Sequence, residues 1–310
     1  MVIDKFKGIF PAFYACYTDS GEISEERTKA LATYFQDKGV NGLYVGGSSG
    51  ECIYQNLEER KETLRYVAEQ VKGEMTLIAH VGAPSTRDSV ELAKHAAELG
   101  YDALSAIPPI YFRLPESSIH KYWSDIMDAT ELPFIIYNIP QTTGYDLSMK
   151  LFKELIKNEK VIGVKNSSMP VLDIERFKTT GGEDFIVFNG PDEQYVSGRL
   201  IGADSGIGGT YGAMPELYLK AEEFVVNGQF ENARAIQRDI NDIIIALTSL
   251  KGNMYSVIKE VLKLRGIELG GVRAPLEAVS EEELSQVEQI KAMIDSAILK
   301  WDRGTGPVSL

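Results

Sequence analysis

Cysteine, histidine and long apolar runs are all scarce in this chain, and each shortage removes a class of explanation. Two cysteines, Cys16 and Cys52, in 310 residues cannot build a disulfide framework, and both read as reduced thiols. The three histidines, His80, His95 and His120, form no metal-ligand spacing and join no cysteine cluster, so no metal is predicted. His80 lies inside a strand run and reads as a satisfied core histidine. His95 lies in an amphipathic helix and reads as a surface residue. No apolar run approaches the roughly 18 residues of a membrane span. Asp4, Lys5 and Lys7 interrupt the first apolar stretch, which therefore lacks a signal-peptide core. Positive charge is short as well: 32 Lys and Arg stand against 45 Asp and Glu, a net charge of −13. That balance argues against nucleic acid or an anionic membrane as partner. The expectation is a soluble, cytoplasmic protein. An anionic substrate would gain nothing from this field, so local donors would have to hold it.

What is present is ordinary for a soluble enzyme, with 44% hydrophobic and 25% charged residues. Apolar β-type runs recur at 8–15, 40–47, 75–82, 103–108, 134–139, 161–165, 185–190 and 205–207. Amphipathic stretches separate them, among them 24–38, 57–72, 88–99 and 147–158. Gly39-Val40-Asn41, Gly100-Tyr101-Asp102 and Gly202-Ala203-Asp204 each follow a helical pattern and precede a strand run. A glycine there supplies the left-handed helix end, and a polar turn residue leads into the strand. Eight buried strands alternating with helices predict an α/β fold, a parallel (β/α)8 TIM barrel, over 1–212. A doubly wound sheet is the alternative, although it would want a Gly-rich phosphate turn after the first strand. Beyond Tyr211 only helical patterns appear, predicting a C-terminal helical extension over 213–303. Ser280 with Glu283 forms a capping box at the start of its last helix. Residues 304–310 read as a frayed tail.

Lys165 ends the apolar run 161–164, and Tyr137 ends the run Phe134-Ile135-Ile136. If both strands belong to one barrel, an amine and a phenol meet at its mouth. Desolvation lowers a lysine pKa and leaves a free amine able to attack a ketone. A phenol beside it can move protons. The competing interpretation is a strand-end lysine paired with a carboxylate. Gly46-Gly47-Ser48-Ser49-Gly50-Glu51 ends the second strand, where small residues and two hydroxyls suit an anion cradle or merely a capped tight turn. Asn189-Gly190-Pro191-Asp192-Glu193 ends the seventh. Its acids suit either the first turn of a helix opened by Pro191 or the hydroxyls of a sugar. Gly206-Ile207-Gly208-Gly209-Thr210 would let backbone carbonyls approach a ligand.

These motifs, with Tyr137-Asn138-Ile139-Pro140 and Gly163-Val164-Lys165, stand in the order and spacing of the pyruvate-dependent class I aldolases. The chain resembles the family of dihydrodipicolinate synthase and N-acetylneuraminate (sialic acid) lyase over nearly its whole length, and is most similar to the lyase branch. The resemblance implies cleavage of sialic acid to pyruvate and N-acetylmannosamine through a Schiff base on Lys165, without metal or other cofactor. It implies that Tyr137 takes the proton from the C4 hydroxyl and that Ser48 and Ser49 hold the carboxylate. Tyr111, matching a tyrosine inserted across a subunit interface, would complete a relay with Ser48 and Tyr137 in a homotetramer. Gly190, Asp192 and Glu193 would grip the sugar tail. Two positions depart from the lyase pattern: Ser167 replaces threonine, and Gly209 replaces a serine whose hydrogen bond is worth on the order of 1 kcal/mol. Dihydrodipicolinate synthases carry an arginine where this chain has Thr142. Three alternatives are a sister aldolase acting on another 2-keto-3-deoxy acid, a dihydrodipicolinate synthase-like condensation and a sugar-acid binding protein without turnover. Lys165 and Tyr137 together argue against the last.

Overall fold

The computed structural model describes residues 3–302, so Arg303 and the tail 304–310 lie outside the described residues. Eight strands, β1 (Gly8–Pro11), β2 (Gly42–Val45), β3 (Thr76–His80), β4 (Ala103–Ala106), β5 (Phe134–Asn138), β6 (Val161–Asn166), β7 (Ile186–Asn189) and β8 (Ser205–Gly208), form one parallel sheet. The order β1-β8-β7-β6-β5-β4-β3-β2 is that of a barrel. A parallel bridge between Ala12 and Tyr44 closes it, with Phe13 N donating to Tyr44 O at 2.9 Å. The TIM barrel is therefore the fold.

The strands read as unbroken apolar runs because both faces are buried. Phe134 and Ile136 face the surrounding helices, whereas Ile135 and Tyr137 face the lumen with Phe10, Tyr44, Ile78 and Phe188. A 3-10 turn, Ile3–Phe6, sends Phe6 into the bottom of the same lumen.

The repeated glycine turns have a structural purpose. Gly39, Gly100 and Gly202 have φ of 74°, 80° and 129°, a region open to glycine. Asn41, Asp102 and Asp204 then accept the N–H of Ile9, Leu77 and Val187 at 2.9, 2.8 and 2.9 Å. Their own N–H groups return bonds to the carbonyls of the same three residues. Each turn thus brackets the entry of an even-numbered strand onto the odd-numbered strand before it.

Helices Glu25–Asp37, Leu57–Val71 and Thr86–Leu99 fall within one or two residues of the segments named from periodicity, while Met149–Leu155 ends three residues before the end of the segment 147–158. Further helices at Glu116–Asp128 and Val171–Gly181, the short helix Tyr195–Ile201 and the helix Pro215–Val226, which packs on β1 after β8, complete the outer ring. The helical extension that follows comprises Phe230–Thr248, Met254–Leu264 and Leu284–Asp302. The Ser280–Glu283 capping box is formed, and it opens a 3-10 turn leading into the last helix. No helix among the described residues is long and apolar enough to cross a membrane.

Candidate active site

Lys165 reaches the lumen because β6 is irregular. Phe134 pairs with Val161, but its neighbour Ile135 pairs with Gly163, one residue further along β6. This skip reverses the alternation, so Ile162 and Lys165 both point inward while Val164 points outward. Gly163 suits the irregular position, since a Cβ there would come within 2.5 Å of Ile186 O.

Beyond the irregularity, Tyr137 pairs with Lys165 and Asn138 with Asn166. The asparagines lock that register: Asn138 Nδ2 donates to Asn166 Oδ1 at 2.9 Å, and Asn166 Nδ2 donates to Ser168 Oγ at 2.9 Å. The amine and the phenol therefore stand side by side on a fixed frame. Lys165 Nζ lies 4.0 Å from the centre of the Tyr137 ring and 4.4 Å from that of Tyr44. No salt bridge reaches it among the described residues, so its neighbours are ring faces and not a paired carboxylate. Lys165 is 5% exposed. Burial pulls its pKa down to about 7, against the opposing pull of Asp192. Burial pushes the Tyr137 phenol up to about 12, with the hydroxyls of Ser167 and Ser48 pulling it back.

A cavity of about 200 Å³ lies over this pair. Ser48, Ser49 and Ser167 line it, as do Gly190, Asp192, Glu193 and Gly209. The structure thus brings together every site residue read from the sequence except Tyr111. That side chain is 92% exposed at φ 84°, stacked edge-on against Phe112, and borders a separate cavity with Arg113 and Thr142. Within one chain it does not approach Lys165. Thr142 lies within the short helix Pro140–Thr143.

The cradle is a 3-10 turn, Ser48–Gly50, whose first N–H groups lack intrahelical acceptors, as at any helix start. Glu51 follows in the left-handed region at φ 53°. Its carboxylate turns away from the cavity and pairs with Lys259 at 2.7 Å, both side chains being 0–2% exposed. The acidic turn departs from the expectation in one respect. Pro191 caps a 3-10 turn, Asp192–Gln194, and is not its first residue. The turn is held from the extension, where Gln237 Nε2 donates to Asp192 O at 3.2 Å and Asn241 Nδ2 to Glu193 O at 3.2 Å.

Gly190 makes room for Ser167, since a Cβ would come within 2.0 Å of its Oγ. The carbonyls after β8 are not left open to a ligand. Gly208 O accepts Ala12 N at 2.9 Å, and Gly209 O accepts the Tyr14 hydroxyl at 2.7 Å. Gly209 contributes space instead, and a Cβ there would lie 3.3 Å from Ser49 Oγ.

Tyr44 and Tyr255 were not legible as site residues. Period-two counting along β2 could have found Tyr44. Tyr255, from the helix Met254–Leu264, lines the cavity near Ser49 and carries no local signal, because only the docking of the extension brings it there. His80 is a core residue, with Nδ1 2.9 Å from Gly46 O and Nε2 accepting Ile107 N at 3.3 Å. Burial and Arg60 hold its pKa down to about 3. His95 is half-buried, with Nε2 3.1 Å from Lys61 O. Cys16 and Cys52 are both free. Among the described residues no group of three His, Cys, Asp or Glu side chains is placed to hold a metal ion.

Residues 5–293 match the dihydrodipicolinate synthetase family. The chain is 54% identical over 301 residues to an N-acetylneuraminate lyase of Mediterraneibacter gnavus, covering 96% of each. Its fold is similar to that of a catalytic-lysine mutant of the sialic acid aldolase of Ruminococcus gnavus, with a TM-score of 0.96 at 53% identity over 96% of this chain and 99% of that one. It is also similar to an N-acetylneuraminate lyase of Fusobacterium nucleatum complexed with pyruvate, with a TM-score of 0.88 at 34% identity over 94% and 97%.

Proposed function

The chain belongs to the dihydrodipicolinate synthetase family, and on that premise we propose that it cleaves N-acetylneuraminate to N-acetylmannosamine and pyruvate through a Schiff base on Lys165. The observation that carries this reading is the buried amine, free of any ion pair, lying between two tyrosine rings under a cavity with a hydroxyl cradle at its wall. With a pKa near 7, a substantial share of the amine is free at neutral pH.

The amine attacks the C2 ketone of the open-chain sugar acid, and loss of water gives a protonated imine. Ser48 and Ser49 hold the carboxylate through hydroxyl and backbone N–H. Tyr137, protonated at rest, takes the C4 hydroxyl proton as it passes its own phenolic proton to the Ser48 hydroxyl. The C3–C4 bond breaks, and the bonding pair enters the imine to give an enamine; the relayed proton is the one returned at C3. Protonation at C3 and hydrolysis then release pyruvate and regenerate the amine. No metal or organic cofactor is assigned a step, since the iminium serves as electron sink. Asp192 and Glu193 serve the hydroxylated tail, with Gly190 and Ser167 beside them. Thr142 offers no cation for a second carboxylate, which favours the sugar acid over aspartate semialdehyde.

We further assign the protein to a homotetramer, in which Tyr111 reaches a neighbour's site and joins Ser48 and Tyr137. Support comes from the uncommon positive φ that presents this aromatic side chain outside its own subunit. A cytoplasmic location suits its two free thiols. Incubation with N-acetylneuraminate and an assay for pyruvate tests the activity. Release from a shorter 2-keto-3-deoxy acid alone would point to the sister aldolase.

A further inference from the structure

The helical extension meets the Ser48–Gly50 cradle and the residue after it at two points. Tyr255 and Lys259 stand four residues apart on the helix Met254–Leu264, one turn from each other on a single face. Lys259 pairs with Glu51 at 2.7 Å and seats the helix there. Tyr255, one turn earlier, is thereby brought against Ser49. A Cβ placed on Gly209 would lie 3.3 Å from Ser49 Oγ and 3.8 Å from the Tyr255 hydroxyl, so the two oxygens border the same small space. The tyrosine ring packs against that of Tyr14, with centroids 6.4 Å apart, and Tyr14 in turn donates to Gly209 O at 2.7 Å. Asn253 Oδ1 accepts the Tyr255 N–H at 2.9 Å, which fixes the backbone as well.

Ser49 has a use for such a neighbour. It is 3% exposed, and its hydroxyl has one proton to give and lone pairs with which to accept. A carboxylate only accepts. A serine that binds one therefore commits its proton to the anion and is completed by a donor from behind. The Tyr255 phenol shares a hydrogen bond with the Ser49 hydroxyl. Burial keeps that phenol protonated, and the nearby Tyr137 and Asp192 act in the same direction, so it has a proton to donate.

We propose that Tyr255 is a positioning residue for the substrate carboxylate: its hydroxyl donates to Ser49 Oγ and so turns the Ser49 O–H toward the anion. This rests on the reading of Ser49 as part of the carboxylate cradle. Donation in series strengthens each bond, because a hydroxyl that accepts becomes a better donor. With a net charge of −13 the chain offers an anion no general attraction, so the strength of these local donors decides how well it is held. A helix outside the barrel thus acts on binding inside it.

Borohydride trapping on Lys165, followed against pyruvate concentration by peptide mass mapping on the full chain, measures how well the anion is held. Methyl pyruvate, run beside it, carries the ketone without the charge. In Tyr255→Phe the half-saturating pyruvate concentration should rise about fivefold, while that of methyl pyruvate moves by less than about twofold. Ser49→Ala should weaken pyruvate as well, and adding Tyr255→Phe to it should cost nothing more, since the phenol acts through the serine. Incorporating 3-fluorotyrosine in place of Tyr255, a stronger donor of nearly the same shape, should move the pyruvate value the opposite way. This last variant decides the matter if Tyr255→Phe does not fold. Unchanged pyruvate values, equal shifts for the two ketones or additive losses in the double variant overturn the proposal. A wild-type enzyme that traps neither ketone overturns the aldolase reading instead, and calorimetric titration with pyruvate, which needs no imine, then judges Tyr255 by the same shift.

Discussion

Replacing Lys259 by methionine removes the cation from a pair that folding has taken out of water. Lys259 Nζ lies 2.7 Å from Glu51 Oε1, with the two side chains 2% and 0% exposed, and donates to Gly271 O at 2.6 Å. Glu51 would keep the Arg273 N–H at 2.8 Å and the Tyr17 hydroxyl at 3.3 Å, neither of which neutralises a buried carboxylate. Removing one partner of such a pair costs about 3–5 kcal/mol, a large part of the ~5–15 kcal/mol that holds a protein folded. At roughly 2 °C per kcal/mol for a chain this long, the melting temperature should fall by roughly 6–10 °C. Activity should suffer as well, because Glu51 directly follows the Ser48–Gly50 turn and its left-handed backbone fixes how that turn ends. A loss of at least about tenfold in kcat/KM corresponds to 1.4 kcal/mol of cradle distortion. Adding Glu51→Gln removes the stranded charge and should restore much of the stability. Calorimetry and steady-state kinetics on both variants check this. A single variant that melts within about 2 °C of wild type and keeps its KM would refute the clamp.

Other outcomes follow from the same geometry. Tyr137→Phe should still form the pyruvate imine but slow carbon–carbon cleavage by roughly 100-fold or more, as rapid-quench assays of both steps would reveal. Lys165→Met should abolish turnover and stabilise the fold. A pKa lowered from 10.5 to about 7 means that below pH 7 the folded state carries the full cost of a buried charge, on the order of 5 kcal/mol. That gain should shrink as pH rises from 7 toward 10.5, where the folded lysine is neutral and the unfolded one is losing its proton. Melting temperatures at pH 6 and pH 9 test the sign. Gly190→Ala should lose activity and roughly 1–3 kcal/mol of stability, since the new methyl meets Ser167 Oγ and Asn166 O at 2.0 and 2.7 Å. If Tyr111 completes a neighbour's site, sedimentation and assay across a dilution series should show activity falling as the oligomer dissociates.

The barrel was legible because its signals are local. The Gly39, Gly100 and Gly202 turns each announce a helix end and a strand start within three residues, and the structure uses all three as brackets. The strand-end motifs were legible for a related reason, since a parallel barrel gathers such ends at one mouth. Three features were not. The inward aim of Lys165 depends on a skipped residue between β5 and β6, and only their pairing reveals it. Glu51 stands within the cradle motif, yet its partner Lys259 lies 208 residues away, so its structural role had no local trace. Tyr255 and Gln237 arrive from the extension, whose helices were readable but whose docking was not. Long-range packing decided what local pattern could not.

Borohydride reduction in the presence of pyruvate, followed by peptide mass mapping, tests the chemistry at its centre. A buried amine of lowered pKa beside a phenol should trap pyruvate as a reduced adduct on the peptide carrying Lys165, and Lys165→Ala should lose both the adduct and turnover. Adduct on another lysine, or undiminished cleavage in Lys165→Ala, would contradict the mechanism.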